Sequence, residues 1–324
     1  MNVLSLCTGY GGLELALGHP PTWVAEYDKY ASTVIAKNWP GVPNLGDITT
    51  IDWERFDPVD VLTAGYPCQP FSLAGRRKGS SDVRHLWPHI VGAIRLLRPG
   101  LVLLENVSGH LTLGFGAVIG DLATLGYDAR WVCVRASDVG APHQRLRLFI
   151  AAADASRGEF QRLGESGVLG SAEGEEHGEG RERQWDGDTV GDRGEEAADA
   201  DEPRLEGPQP AGRRDMSPGS GESYWGPYEP AIRRWESVLR RVAPEPTDEQ
   251  GRLNPVLVEW MMGLPEGWVT DTPSLSRSQQ LKILGNGVVP QQAREAFRQL
   301  GILTGRITSF TLDSRISVER GLCG

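Results

Sequence analysis

The sequence has no run of about eighteen apolar residues, so it offers no segment long enough for a membrane-spanning helix. Its start, Met1-Asn2-Val3-Leu4-Ser5-Leu6, carries no basic region, and no secretory signal is expected. Cysteine is scarce. The four residues, Cys7, Cys68, Cys133 and Cys323, show no paired spacing. That pattern fits a reducing cytoplasm better than a disulfide framework or a zinc site, and no metal centre is expected. There is no internal repeat. At 324 residues the chain can bury a substantial core, and its length suggests about two domains.

Basic charge is also in deficit, but only locally. The net charge is -10, and residues 154–222 hold 19 acidic and 8 basic side chains. The remainder is nearly neutral and can present a basic cleft to nucleic acid without showing it in the total. The acidic stretch is also poor in aromatics, with only Phe160 and Trp185. So little apolar area cannot offset the entropy of ordering it, and it is expected to be largely disordered.

Residues 1–153 alternate strand and helix patterns. Strands are expected at Val3–Leu6, Trp23–Glu26, Asp60–Ala64, Leu101–Leu104, Trp131–Val134 and Leu146–Ala151. Helices are expected at Leu13–Leu17, Lys29–Asn38 and Leu86–Leu97. This order predicts an α/β fold with a doubly wound, mostly parallel sheet. Ligands of such sheets lie beyond the carboxyl ends of the strands, where Gly9, Glu26, Gly65 and Glu105 fall. Further helices are expected at Ala231–Arg241, Pro255–Met262 and Pro290–Leu300, the last after a turn at Gly285-Asn286-Gly287. The organisation predicted is a catalytic and cofactor-binding domain at 1–153, the acidic insert at 154–222 and a small target-recognition region at 223–277. A segment at 278–303 returns to the first domain, and 304–324 is a polar tail.

Several residues carry chemistry. Gly9, Gly11 and Gly12 after the first strand allow a tight turn and a close approach to a nucleoside, although a turn without ligand explains them equally well. Glu26, ending the second strand, suits ribose hydroxyls. The glycine spacing is not the dinucleotide fingerprint, which disfavours a nicotinamide-linked dehydrogenase. Asp47 can accept from an adenine amino group, or simply cap a turn. In Gly65-Tyr66-Pro67-Cys68-Gln69-Pro70-Phe71-Ser72, Cys68 stands between two prolines where the sheet opens. That position favours a thiolate nucleophile over an inert core thiol. Glu105 follows a buried strand, where burial raises a carboxyl pKa towards neutrality; a salt-bridged or capping acid is the alternative. Arg145 and Arg147 alternate, and so share one face of a strand, suited to anions or base carbonyls or to a solvated edge.

These residues together resemble the DNA cytosine-5 methyltransferases of bacterial or phage type, over about 1–153 and 251–300. The glycine loop, the Pro-Cys-Gln-Pro-Phe-Ser box, the Glu-Asn-Val box, the Arg-x-Arg segment and Gly-Asn-Gly-Val-Val-Pro-Gln-Gln stand in the family's order. The resemblance implies an S-adenosylmethionine-dependent, Rossmann-like methyltransferase sheet with a small second target-recognition domain. Its implied reaction is methylation of carbon 5 of a cytosine flipped out of double-stranded DNA. Cys68 would add to carbon 6, with Glu105 at the ring nitrogen and Arg145 at the base. Cofactor contacts are implied for Gly9, Gly11, Gly12, Leu13, Glu26, Tyr27, Asp47, Ile48, Pro67, Asn286 and Val288. Substrate contacts are implied for Gln69, Ser72, Arg76, Arg77, Asn106 and Arg147. A monomer acting in the cytoplasm is expected; the resemblance leaves open both a cognate restriction endonuclease and an orphan enzyme.

The chain departs from the family pattern at Cys7, where the family often has Phe, and at His143, where glutamine is common. The acidic stretch is a poor reader of DNA. Base contacts are therefore expected nearer Ser223–Arg241, where Tyr224, Trp225, Arg233, Arg234, Arg240 and Arg241 cluster; a solvated amphipathic helix accounts for that cluster equally well. The alternatives to the main reading are the same chemistry on RNA and a non-catalytic DNA-binding module of the same fold.

Overall fold

A computed structural model describes residues 1–67, 86–157 and 225–303. Six strands, β1 (Val3–Leu6), β2 (Trp23–Ala25), β3 (Val61–Gly65), β4 (Leu101–Val107), β5 (Tyr127–Arg135) and β6 (Leu146–Asp154), form one sheet in the order β2-β1-β3-β4-β6-β5. The first four in that order run parallel, and β6 is antiparallel to both β4 and β5. The expected mostly parallel sheet is therefore present. The helices are α1 (Gly12–Leu17), α2 (Lys29–Asn38), α3 (Trp87–Leu97), α4 (Phe115–Thr124), α5 (Glu229–Leu239), α6 (Pro255–Met261), α7 (Arg277–Asn286) and α8 (Pro290–Gln299).

Side chains alternate across each strand, so two cores form on opposite faces. Leu4, Leu6, Leu62, Ala64, Val102 and Leu104 pack with Ile90 and Ile94 of α3 and Leu122 of α4. Val3, Val61, Leu101, Leu103 and Phe149 pack instead with α1 and with Ala293, Ala296 and Phe297 of α8. A third cluster joins Tyr10, Leu15, Val34 and Ala141 to Trp235 of α5, Trp260 of α6 and Leu284 of α7. Residues 225–303 thus share a core with the first 157, and all described residues belong to one compact unit.

The differences from the sequence reading are local. β4 runs on to Val107, so Glu105 and Asn106 lie inside the strand, not after it. Backbone pairing of Glu105 with Gly65 and Phe149 continues regardless of its polar side chain. Gly285 and Asn286 close α7 and are not a free turn. This helix is polar and has little apolar periodicity, but Ser276 and Gln279 form a reciprocal capping box at its start. The glycines Gly116 and Gly120 obscure α4 in the sequence. Regular structure also continues to Arg157, past the expected boundary at 153. Most of the acidic stretch lies outside the described residues. No described helix is long and apolar enough to cross a membrane.

Candidate active site

The chain leaves β1 for β2 on one side and later returns to β3 on the other. Their carboxyl ends therefore open a crevice between the two connections. The glycine loop lies at this point. Gly9 and Gly11 hold φ of 59° and 88°, a left-handed backbone that favours glycine. Glu26 ties the loop down: one carboxylate oxygen accepts from the Gly9 N–H at 2.8 Å, the other from Asp28 N–H at 2.7 Å. Burial raises its pKa.

A cleft opens here, lined among others by Cys7, Gly9, Gly12, Glu105, Asn286 and Val288. Leu13 also lines it. Of the remaining cofactor candidates, Tyr27 is 80% exposed, and Ile48 is buried in the core below the sheet. Asp47 caps the turn after it, accepting from Thr49 N–H at 2.9 Å. Pro67 ends a described stretch. Cys68, Gln69, Ser72, Arg76 and Arg77 lie outside the described residues.

Glu105 shares the sheet face of Leu101 and Leu103, which directs its side chain into the cleft. Across the ladder stands Gly65, where a Cβ would lie 3.5 Å from Oε2 of Glu105. Burial pushes the Glu105 carboxyl up to about 7, against the opposing pull of Arg147 and then Arg145. Val107 pairs with Arg147 on β6, two positions along the same face, and the Arg147 Nε reaches Glu105 Oε1 at 3.2 Å. Asn106 faces the other way. Its Nδ2 donates to the Tyr66 carbonyl at 3.1 Å, fastening the strand end that leads to Cys68.

Arg145 is placed differently from the expectation of two arginines alternating along one strand. It precedes β6, at φ 38°, and its Nη2 donates to the carbonyls of Gly285 (2.9 Å) and Gly287 (2.6 Å). Its Nε is buried without a partner. His143 also has both ring nitrogens buried and unpartnered, and burial with the two arginines pushes its pKa down to about 4.

The basic cluster in and just after α5 is largely consumed internally. Arg233 pairs with Glu229 and Glu236, Arg234 donates to Gly140 O and Arg241 to Leu264 O. Tyr224 lies outside the described residues.

Three contributors to the site escaped the sequence reading. Tyr10 is fully buried, with its hydroxyl donating to Val288 O at 2.8 Å. Gln292 Nε2 holds the Val134 and Arg145 carbonyls. Glu14, buried and accepting from Thr63 Oγ1, has its pKa raised by desolvation. The visible signal for Glu14 was a lone acid in Leu13-Glu14-Leu15-Ala16-Leu17; Tyr10 and Gln292 gave none. Among the described residues, no three His, Cys, Asp or Glu side chains form a group able to hold a metal.

Comparison with known proteins identifies the family and the fold. The family model of C-5 cytosine-specific DNA methylases matches residues 1–183, more than half of the chain. Type II methyltransferase M.BsuFI of Bacillus subtilis is 34% identical over 158 residues, covering 46% of this chain and 38% of that protein. M.NgoBI of Neisseria gonorrhoeae is 36% identical over 155 residues, 45% of this chain and 49% of that protein. The match thus spans less than half the length of these curated relatives. Among solved structures, the S. pombe Dnmt2 methyltransferase superposes with a TM-score of 0.58 at 18% identity, covering 93% of this chain and 99% of that one. A putative DNA modification methyltransferase encoded within an E. coli prophage gives 0.54 at 18% identity, over 93% and 98%. At that identity the two structures establish the fold, and the family match with the glycine loop, the strand-borne Glu105 and the Arg145–Arg147 segment establishes the rest: this chain belongs to the C-5 cytosine-specific DNA methylase family.

Proposed function

We propose that the protein methylates carbon 5 of a cytosine flipped out of double-stranded DNA, through a transient covalent adduct with Cys68. The observation that carries this reading is Glu105, a buried carboxyl with a pKa of about 7. It faces a cleft at the switch point of the sheet, and the strand opposite leads within three residues to Cys68.

The cleft fits the cofactor that the family uses. At Gly9 a Cβ would meet nothing within 4 Å, so the space beside the loop is open to a ligand, and Gly12 packs directly on Val288 O. Gly9, Gly12, Leu13, Asn286 and Val288 would hold S-adenosylmethionine, with Gly11 and Glu26 shaping the loop. When bound, it supplies an electrophilic methyl group.

The chain's own residues account for the activation of cytosine. A pyrimidine carbon 6 is a poor electrophile unless the ring nitrogen is protonated or hydrogen-bonded. Protonated Glu105 donates to that nitrogen as the Cys68 thiolate forms the sulfur–carbon bond. Electron density then moves to carbon 5, the position methylated. Loss of the carbon 5 proton to a base expels Cys68 and restores the ring. Arg147, paired with Glu105, stabilises the carboxylate whenever its proton has moved to the base. Because these ring atoms lie inside the stack, the base must leave the duplex. Gln69, Ser72, Arg76 and Arg77 are the further candidates for the DNA side, whereas Asn106 is buried and tied to the Tyr66 carbonyl. The protein is taken to act as a monomer.

The test is trapping on a mixed-sequence duplex containing 5-fluorocytosine, with S-adenosylmethionine present and mass analysis of the protein. Fluorine cannot leave as a proton does, so an adduct at Cys68 is expected, and none with Cys68→Ser. An adduct only on a 5-fluorocytosine RNA would move the substrate to RNA. No adduct on either would overturn the reaction.

A further inference from the structure

The Gly285–Val288 segment forms one wall of the cleft, and two residues from different parts of the chain grip it. From the glycine loop, Tyr10 donates its hydroxyl to Val288 O at 2.8 Å. The fit is close. A Cβ on Gly287 would lie 1.9 Å from the Tyr10 ring. Trp268 Nε1 fixes the Tyr10 carbonyl in turn, at 2.8 Å. From the other side, Arg145 bridges two carbonyls, Gly285 O and Gly287 O. These are at the carboxyl end of α7, where helix carbonyls lack internal partners and the dipole favours a cation.

Arg145 holds this position at some cost. Its φ of 38° is a left-handed conformation that a long side chain rarely adopts. The strain persists because the surroundings over-determine it. Gln292 Nε2 bonds its carbonyl at 2.7 Å, and the neighbouring Gln144 carbonyl accepts from Ala136 N–H at 2.7 Å. The side chain that faces Glu105 in an ion pair belongs to Arg147.

We infer that Arg145 is a positioning residue for the cofactor wall: with Tyr10 it clamps Gly285–Val288 and so sets affinity for the adenosyl cofactor, leaving the carboxyl of Glu105 to Arg147. This rests on the reading that the cleft takes S-adenosylmethionine. The unpartnered Nε of Arg145 is the one feature that could serve the base instead, and the experiment separates the two roles.

Calorimetric titration with S-adenosylhomocysteine gives an equilibrium constant that needs no turnover. Wild type, Arg145→Met, Arg145→Lys and Tyr10→Phe are compared, alongside KM for a cytosine duplex and the melting temperature of the free protein. Arg145→Met and Tyr10→Phe should each raise Kd by roughly fivefold to tenfold, the scale of one or two buried hydrogen bonds. KM for DNA should not change. The double variant should fall short of the product of the single effects, because both act on one turn. Lysine keeps the charge but offers a point donor in place of a planar fork, so Arg145→Lys should recover only part of the affinity. If Arg145→Met does not fold, Arg145→Lys and Tyr10→Phe carry the test. Unchanged Kd for S-adenosylhomocysteine with a raised KM for DNA or slowed adduct formation on 5-fluorocytosine would overturn the clamp alone. A fall in melting temperature with no selective change in Kd would do the same. Absence of binding by wild type would overturn the reading of the cleft, and the clamp with it.

Discussion

Glu105 and Arg147 face the same side of the sheet on neighbouring antiparallel strands, with Oε1 and Nε 3.2 Å apart. The pair does not keep the carboxyl acidic. Burial outweighs the arginine, and the group titrates near 7. A carboxyl that shares its proton at neutral pH is what ring-nitrogen activation requires.

This balance has a measurable pH signature. The folded pKa of Glu105 lies above its ordinary value of 4.5. Its contribution to stability is therefore present below about 4.5 and is lost as pH rises through about 7. Relative to Glu105→Gln, wild type should lose on the order of 3 kcal/mol between pH 4.5 and 7 and little more above. Urea unfolding of both proteins from pH 5 to 8 measures this, and a constant difference would refute it. Adduct formation by wild type should also decline above pH 7, where the proton Glu105 donates is gone. Glu105→Gln should slow it at least about a hundredfold at every pH.

Gly12→Ala tests the close approach at the loop. The new methyl would meet the Val288 carbonyl at 2.3 Å, and a backbone oxygen cannot rotate away. We expect a stability loss of about 1–3 kcal/mol from overpacking, with loss of S-adenosylhomocysteine binding. Calorimetry together with chemical denaturation reads both.

Cys7 lines the cleft, but its thiol is pushed up to about 12, first by burial and then by Glu26. It should resist iodoacetamide at pH 8, where less than about 0.1% is thiolate. Peptide mapping after brief alkylation checks this. Rapid labelling of Cys7 in the folded protein would contradict the placement.

Trp235 tests whether residues 225–303 share the core of the first segment. It is fully buried and donates to Trp260 O at 2.9 Å. Trp235→Ala should cost about 3–5 kcal/mol in urea unfolding, as one cooperative transition. A separate low-stability transition would show that these residues fold as an independent unit.

The sheet was legible because its strands are short apolar runs closed by glycine or charge. The sequence spacing places six of the eight described helices, all but α4 and α7, within about two residues of their observed bounds. What it misjudged has common causes. Glu105 looked like a strand end because its side chain is polar, yet the ladder needs only backbone groups. α7 has few apolar residues, so it is held by its capping box, by buried Ile283 and Leu284 and by polar contacts such as Gln280 to the Thr270 carbonyl. The arginine cluster at 233–241 read equally as a surface for DNA or as a solvated helix face, and Arg233, Arg234 and Arg241 are spent on neighbouring carboxylates and carbonyls.

The sequence by itself determined the fold class, the family and part of the cleft lining, Gly9, Gly12, Leu13, Glu105, Asn286 and Val288. Periodicity, glycine spacing and the nature of each reactive side chain are local properties, readable without coordinates. Only the tertiary structure decided which arginine faces which partner. Arg145 and Arg147 are two residues apart and chemically alike. A left-handed φ at Arg145 turns one towards Gly285 and Gly287, while the strand register carries the other to Glu105. The pKa of Glu105 was settled in the same way, by the depth of its burial weighed against a cation from another strand.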